Sequence, residues 1–185
     1  MFRGKIETEY KIELSKDEFS SVRGNLTDFE FKNTEVLEDY FFDIQKFDEK
    51  GFDFTRIRIH DSNNYEKTIK KWHLRGGERV REEIESESNS DELESFKSSK
   101  KYLSLKKTRT NYKGTVLGYN AILSFDEINF TDEDKYFFEC EIDVPEELTN
   151  SIRPELKNWM LRTFNLSDRP EGIGMMKLVI QKQTA

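Results

Sequence analysis

Ile6-Glu7-Thr8-Glu9-Tyr10-Lys11-Ile12 is the stretch on which the reading of this chain turns. Successive side chains of a strand point to opposite faces. Glu7, Glu9 and Lys11 therefore share one face, and Ile6, Thr8, Tyr10 and Ile12 the other. The apolar face is suited to packing. The charged face presents two acids and then a base, with same-face neighbours about 7 Å apart. Two carboxylates so spaced can converge on a divalent cation while the lysine reaches past it. Taken alone, the pattern also describes the wet face of an ordinary antiparallel strand. What shifts the balance is that it recurs downstream.

Glu139 and Glu141 repeat the two-acid face, against Phe138, Cys140 and Ile142. Between these two stretches, residues 52–60 put Arg56 and Arg58 with Phe54, opposite Thr55, Ile57 and Ile59. Residues 65–73 put Thr68, Lys70 and Trp72 opposite Ile69. Arg79, Arg81, Glu83 and Glu85 oppose Val80 and Ile84, with Glu82 breaking the alternation. Residues 102–112 place Leu103, Leu105, Lys107 and Arg109 on one side, and residues 119–128 place Ser124 and Asp126 with Ile122 and Ile128. A further strand is expected over residues 36–44. Turns are expected at 45–51, 61–64 and 75–78, and a hairpin-like break at Lys113-Gly114. Ser15 and Glu18 form a capping box for a helix carrying Phe19, Val22 and Leu26. A second helix begins at residues 88–91, with Leu93 and Phe96 facing inward. A third has Pro154 in its first turn and a stripe of Leu156, Trp159, Met160, Thr163 and Phe164. Residues 176–180 read as a last strand.

The 185 residues are 35% hydrophobic and 36% charged, the latter well above the roughly 25% usual for globular domains. Fifteen phenylalanines and seven tyrosines supply a core. No composition break or repeat divides the chain, so a single domain over residues 1–185 is expected. A net charge of −7 argues against general binding to nucleic-acid backbones. The single cysteine, Cys140, excludes an internal disulfide or a cysteine zinc site and reads as core. There is no apolar run of the roughly 20 residues a membrane helix needs, and the N-terminus lacks a signal-peptide core. The expectation is a cytoplasmic protein that does not engage membranes. His60 and His73 read as edge or turn residues, and Trp72 and Trp159 as packing.

If the strands curl into a barrel with helices outside, the charged faces line its interior. Unpaired buried charge costs several kcal/mol per ion, so such an interior requires water, metal or ligand. The acids would be Glu7, Glu9, Glu83, Glu85, Asp126, Glu139 and Glu141. The bases would be Lys11, Arg56, Arg58, Lys70, Arg81, Lys107 and Arg109. Carboxylates bind hard divalent cations, and Arg and Lys bind phosphate oxygens. Together they suit a metal-complexed polyphosphate.

The chain resembles the CYTH superfamily, the triphosphate tunnel metalloenzymes named for class IV adenylate cyclase and thiamine triphosphatase. The family's E-x-E-x-K is matched by Glu7-Thr8-Glu9-Tyr10-Lys11, and its R-x-R by Arg56-Ile57-Arg58. Its T-x-K is similar to Thr68-Ile69-Lys70, and its R-x-E-x-E to Arg81-Glu82-Glu83-Ile84-Glu85. Its K-x-R-x-x-Y resembles the run from Lys107 to Tyr112. Its late aspartate resembles Asp126, and its closing E-x-E Glu139-Cys140-Glu141. The motifs come in the family's order. The chain departs from the pattern at residues 132–136, where the family often has Leu-Gly, and near residues 172–178, where a Ser-Tyr element is missing.

The resemblance implies an α+β fold, an antiparallel eight-stranded β-barrel tunnel with surrounding helices. It implies that Mg²⁺ or Mn²⁺ is held by Glu7, Glu9, Asp126, Glu139 and Glu141, with Glu83 and Glu85 orienting the bases or serving a second metal. Lys11, Arg56, Arg58, Lys70, Arg81, Lys107 and Arg109 would bind a small-molecule triphosphate. Glu7, orienting or deprotonating water, and Lys70 are the catalytic candidates. Lys177 is a further candidate basic contact. Three readings stand: hydrolysis of an inorganic or organic triphosphate, cyclisation of ATP to cyclic AMP, and polyphosphate binding without turnover. The complete R-x-E-x-E favours the hydrolase, since the family's cyclases often lack its final acid and their His-Phe element is absent. The protein is expected as a monomer or homodimer.

Overall fold

Alternating segments become strands along most of the chain. A computed structural model describes residues 5–6, 8–48, 51–61, 63–75 and 77–183, so Glu7 lies outside the described residues. In chain order the elements are β1 (Lys5–Ile6), β2 (Thr8–Leu14), α1 (Lys16–Gly24), β3 (Glu30–Lys46), β4 (Phe52–His60), β5 (Asn64–Arg75) and β6 (Glu78–Ser88). They continue with α2 (Ser90–Ser99), β7 (Leu103–Val116), β8 (Tyr119–Asn129), β9 (Asp134–Ile142), a 3-10 turn (Glu146–Leu148), α3 (Thr149–Thr163) and α4 (Met175–Gln183). The strands hydrogen-bond in the order β1-β6-β5-β4-β3-β7-β8-β9-β2. The described pairings are antiparallel, giving the expected α+β class. β1 and β2 flank a single residue and pair with different strands, β6 and β9, so nine segments arise from eight strand-forming stretches. Among the described residues no helix is long and apolar enough to cross a membrane.

The chain packs as two units, each drawn from separate stretches: Met1–Ile6, Val36–Lys106 and Gly174–Ala185 in the first, Glu7–Glu35 and Lys107–Ile173 in the second. In the first unit, Leu93 of α2 packs against Phe42 and Ile57. Phe96 sits with its ring 5.1 Å from that of Phe42. The helix starts at Asn89, whose side chain accepts the Glu92 N–H at 2.9 Å.

In the second unit, Tyr10, Ile12 and Leu14 of β2 join Phe125, Phe138 and Cys140 in one core with residues of α1 and α3. Phe125 and Phe138 stack at 4.7 Å. The capping box at α1 forms as predicted, the Glu18 carboxylate accepting the Ser15 N–H at 2.9 Å. Cys140 is buried in this core, and burial pushes its thiol pKa far up, so it is inert packing.

Alternate carbonyls along β2 are taken up by the C-terminal part of the second unit. Glu9 O accepts from Arg153 Nε at 3.1 Å, Lys11 O from Gly172 N–H at 2.8 Å, and Glu13 O from Arg169 Nη1 at 3.2 Å. Arg169 is itself gripped by Glu18, at 2.6 and 3.0 Å. A strand margin that would otherwise present bare polar groups is thereby satisfied.

Three local expectations are corrected. The break expected at Lys113-Gly114 lies inside β7, which continues to Val116. The turn falls at Leu117 and Gly118, with φ of 52° and 84°, the double positive φ that a tight hairpin of this hand requires. Gly114 is instead a packing position, since a Cβ there would lie 2.5 Å from a ring carbon of Phe29. Pro154 is not in a first helical turn but inside α3. The helix starts earlier because the preceding 3-10 turn leads into it and Thr149 is tied to Thr8 by a 3.0 Å hydroxyl bond. Residues 176–180 form part of α4, burying Met176 and Val179 at helical spacing; an apolar run this short fits either element, and tertiary packing decides.

Candidate functional site

Residues directly paired across an antiparallel ladder share a face. In the second unit Glu9 pairs Glu141 and Lys11 pairs Glu139, while Ser124 pairs Glu139 and Arg109 pairs Asp126. The charged row thus lies opposite the Tyr10, Ile12 and Cys140 face that meets the helices. Its members interlock. Lys11 forms an ion pair with Glu139. Asp126, 1% exposed, accepts from Arg109 Nε at 2.6 Å, Arg109 Nη2 at 2.7 Å and Lys107 Nζ at 2.8 Å. Arg109 also reaches Glu139 at 3.5 Å.

The charges persist despite burial. Burial opposes ionisation of Asp126, but Arg109 and Lys107 outweigh it and hold the carboxyl far below its usual range. Glu139 is likewise lowered, burial being overcome mainly by Lys11. For Lys11 burial is outweighed by Glu139 and Glu9, and its pKa is raised. Lys11, Asp126 and Glu139 thus stay ionised despite burial.

In the first unit the corresponding face runs through Arg56 and Arg58 of β4, Thr68 and Lys70 of β5, and Glu83 and Glu85 of β6, in direct register. Arg58 clasps Asp39 in a two-point pair, Nε to Oδ1 at 2.6 Å and Nη2 to Oδ2 at 2.9 Å. Arg56 Nη2 donates to Glu66 at 3.0 Å and to Thr68 Oγ1 at 2.7 Å. Glu83 is buried, with Lys70 Nζ at 2.8 Å and Arg56 at 3.8 Å. The Glu66 carboxyl is held at about 2 by the His60 ring and then by Arg56 and Arg58, against a burial effect of opposite sign. Arg81 lies with its guanidinium 5.8 Å from the Trp72 ring, and Glu85 is exposed.

Each unit therefore gathers its own share of the expected residues. Lys177 joins neither; it stands exposed on α4. Two participants escaped the sequence reading. Asp39, 1% exposed, alternates with Leu37 and Phe41, and a lone acid in an apolar row was the available signal. Glu66 lies two residues before Thr68 on the same face, which strand periodicity alone indicates. His60, an expected edge or turn residue, is the last residue of β4 and lies 3.7 Å from Glu66. Glu82, which broke the alternation, is bonded to His73 at 3.0 Å on the opposite face of the sheet from Glu83.

Among the described residues no three His, Cys, Asp or Glu side chains are gathered closely enough to hold an ion, with Glu7 outside that set. The donor chemistry nevertheless fits one. Glu9 and Glu141 are like charges set directly opposite across the β2–β9 ladder, an arrangement that destabilises a sheet unless a cation is shared. Glu139 follows on the same face. An all-carboxylate set of this kind suits a hard ion such as Mg²⁺ or Mn²⁺.

Comparison with known protein families matches residues 5–169 to the CYTH domain. Comparison with curated proteins finds no match. Among solved structures, the PH1819 protein of Pyrococcus horikoshii OT3 is 22% identical with a TM-score of 0.68, over 95% of this chain and 99% of that one. HpAC1 of Hippeastrum, described as an adenylyl cyclase candidate with a dominant triphosphatase activity, is 18% identical with a TM-score of 0.63, over 95% of each chain. An adenylate cyclase candidate from Bacillus halodurans is 17% identical with a TM-score of 0.59, over 95% of this chain and 98% of that one. At these identities the likeness is one of fold. The family match covers most of the sequence, and the chain belongs to the CYTH domain family.

Proposed function

We propose that this chain hydrolyses a triphosphate with the help of Mg²⁺ or Mn²⁺. The observation that carries the reading is the charge balance of the second unit's row. There the bases Lys11, Lys107 and Arg109 stand against the acids Glu9, Asp126, Glu139 and Glu141, several of them buried. Such a row is net negative and repels a polyphosphate as it stands. Divalent cations on the carboxylates reverse that sign and turn the row into a phosphate site.

Glu9, Glu139 and Glu141, with Glu7 from the same motif, are the residues that would hold the ion. When bound, it offsets charge building on the transferred phosphoryl group. Asp126 uses both oxygens on Lys107 and Arg109 and so sets the direction of those two bases. Lys11, Lys107 and Arg109 bind phosphate oxygens; Arg56, Arg58, Lys70 and Arg81 give the first unit a basic set of its own, of the same anion-binding chemistry. Arg58 is pre-oriented by Asp39, and Arg56 by Glu66 and Thr68, so little side-chain entropy is lost when either meets an anion. Among the described residues, the buried Arg56 Nε has no hydrogen-bond partner, which suits a donor kept for an anionic ligand. Lys70, beside Glu83, is a compact point charge suited to a phosphate oxygen. Glu7 orients or deprotonates the attacking water.

The test is to assay purified protein with tripolyphosphate, ATP and thiamine triphosphate, with Mg²⁺, Mn²⁺ or chelator. Phosphate release that needs the metal and forms no cyclic nucleotide is the expected result. Cyclic AMP from ATP would replace the hydrolase by a cyclase, and metal-dependent binding without turnover would leave a polyphosphate binder.

A further inference from the structure

We propose that Ser124 offers a neutral oxygen to the divalent cation assigned to Glu139 and Glu141, and that Asn111 is the positioning residue that keeps the Ser124 proton turned away from that cation. This rests on the metal-dependent reading above and adds to it a ligand that is not a carboxylate.

Ser124 stands inside the charged row. On β8 it is paired with Glu139 of β9 on one side and with Asn111 of β7 on the other. Direct partners on one face have Cβ atoms about 5 Å apart, and the diagonal neighbour, here Glu141, is about 7–8 Å away. Ser124 is 4% exposed and Asn111 8%. Asp126, the next residue on this face of β8, is committed to Lys107 and Arg109. Ser124 is therefore the polar residue of β8 that meets the closing pair of acids.

Hydrogen-bond polarity fixes where the Ser124 proton goes. Asn111 Nδ2 donates to Asn33 Oδ1 at 3.0 Å and to Glu35 Oε1 at 3.2 Å. Its Oδ1 accepts from Ser124 Oγ at 2.8 Å. Turning the amide over would set its oxygen against the Glu35 carboxylate, two acceptors face to face. An amide oxygen cannot donate, so this bond takes the one proton that Ser124 has. Among the described residues Ser124 Oγ makes that bond alone, and its lone pairs are left on a buried face beside Glu139. The ionised Glu139 carboxylate supplies no proton for them. A hard cation suits hydroxyl and carboxylate oxygens alike. The hydroxyl adds a ligand without adding negative charge to the row, so it takes nothing from the cation's pull on phosphate.

The experiment titrates metal-free protein with Mn²⁺ by calorimetry, with no phosphate compound present. Ser124→Ala weakens Mn²⁺ about tenfold. Asn111→Ala weakens it about fivefold alone and less than about twofold in the Ser124→Ala background, because Asn111 acts through Ser124. Ser124→Cys exchanges a hard oxygen for a soft sulfur at nearly the same size. It weakens Mn²⁺ and, with Cd²⁺, gives an ultraviolet sulfur-to-cadmium charge-transfer band as the thiol proton passes to the buffer. Wild type, whose Cys140 is buried in the core on the opposite face, gives no band. Unchanged Mn²⁺ affinity in Ser124→Ala, or no cadmium band in Ser124→Cys, overturns the ligand. Additive losses in the double variant overturn the role of Asn111. If Ser124→Ala fails to fold, the cysteine variant decides. None of these readouts needs turnover. A chain that binds Mn²⁺ through Ser124 and hydrolyses no triphosphate sinks the hydrolase alone; metal-dependent hydrolysis with neither change sinks the ligand alone.

Discussion

Gly172 donates its backbone N–H to the carbonyl of Lys11 at 2.8 Å, so the C-terminal part of the second unit grips the strand that carries the acid-acid-base motif. The approach is close enough that side-chain size matters. A Cβ on Gly172 would stand 3.1 Å from Glu13 N and 3.3 Å from the Ile12 carbonyl carbon, both backbone atoms that cannot step aside. Gly172→Ala should lower stability by about 1 kcal/mol, and Gly172→Val by about 2–3 kcal/mol, read from denaturant midpoints. A valine variant as stable as wild type would mean that the contact is slack.

Glu9→Gln keeps the size of the side chain and removes a carboxylate charge facing Glu141. Turnover should fall roughly 100-fold or more with the melting temperature little changed. Near-normal activity in this variant would remove Glu9 from the metal site.

Asp39 and Arg58 form a buried two-point pair, and breaking one side leaves the other charge stranded. Asp39→Asn should cost about 3 kcal/mol of stability, more than a polar-to-polar change at a surface site. Arg58→Ala should raise KM for the triphosphate more than it lowers kcat. Unchanged substrate affinity in Arg58→Ala would show that Arg58 does not meet phosphate.

The Glu18 carboxyl is held at about 2 by hydrogen bonds from Arg169 and then from Ser15. Its folded pKa is below the unfolded value, so the stabilisation is fully present above about pH 4.5 and is lost as pH falls through 2. Arg169→Met should therefore lose stability at pH 7, and its deficit against wild type should shrink between pH 4.5 and 2. Some deficit persists, because Arg169 also holds the Glu13 carbonyl. Urea titrations at several pH values give the comparison; a deficit independent of pH would exclude the Glu18 linkage.

Chelation should abolish tripolyphosphate binding and not merely its hydrolysis, because the second unit's row is net negative without cations. Calorimetry in EDTA and in Mg²⁺ separates the two. Binding of equal strength in both would show that the bases suffice.

Most strand faces were legible in the residues, because an alternation of period two is a local property that any chain segment carries with it. The helix at Ser15 was legible for the same reason, its cap and its N3 acid being neighbours in the chain. Where local signals were ambiguous they misled. Lys113-Gly114 looked like a turn, yet its glycine accommodates the ring of Phe29, a residue 85 positions earlier. The run at residues 176–180 was too short to show its period.

The sequence by itself determined which side chains are charged and which face each one takes. Only the tertiary structure decided which acid meets which base: Asp39 with Arg58, Glu66 with Arg56, Asp126 with Lys107 and Arg109. Partners of this kind depend on register between strands distant in the chain. Register is set by the fit of whole apolar faces and the turns that join them, and no short motif contains that information.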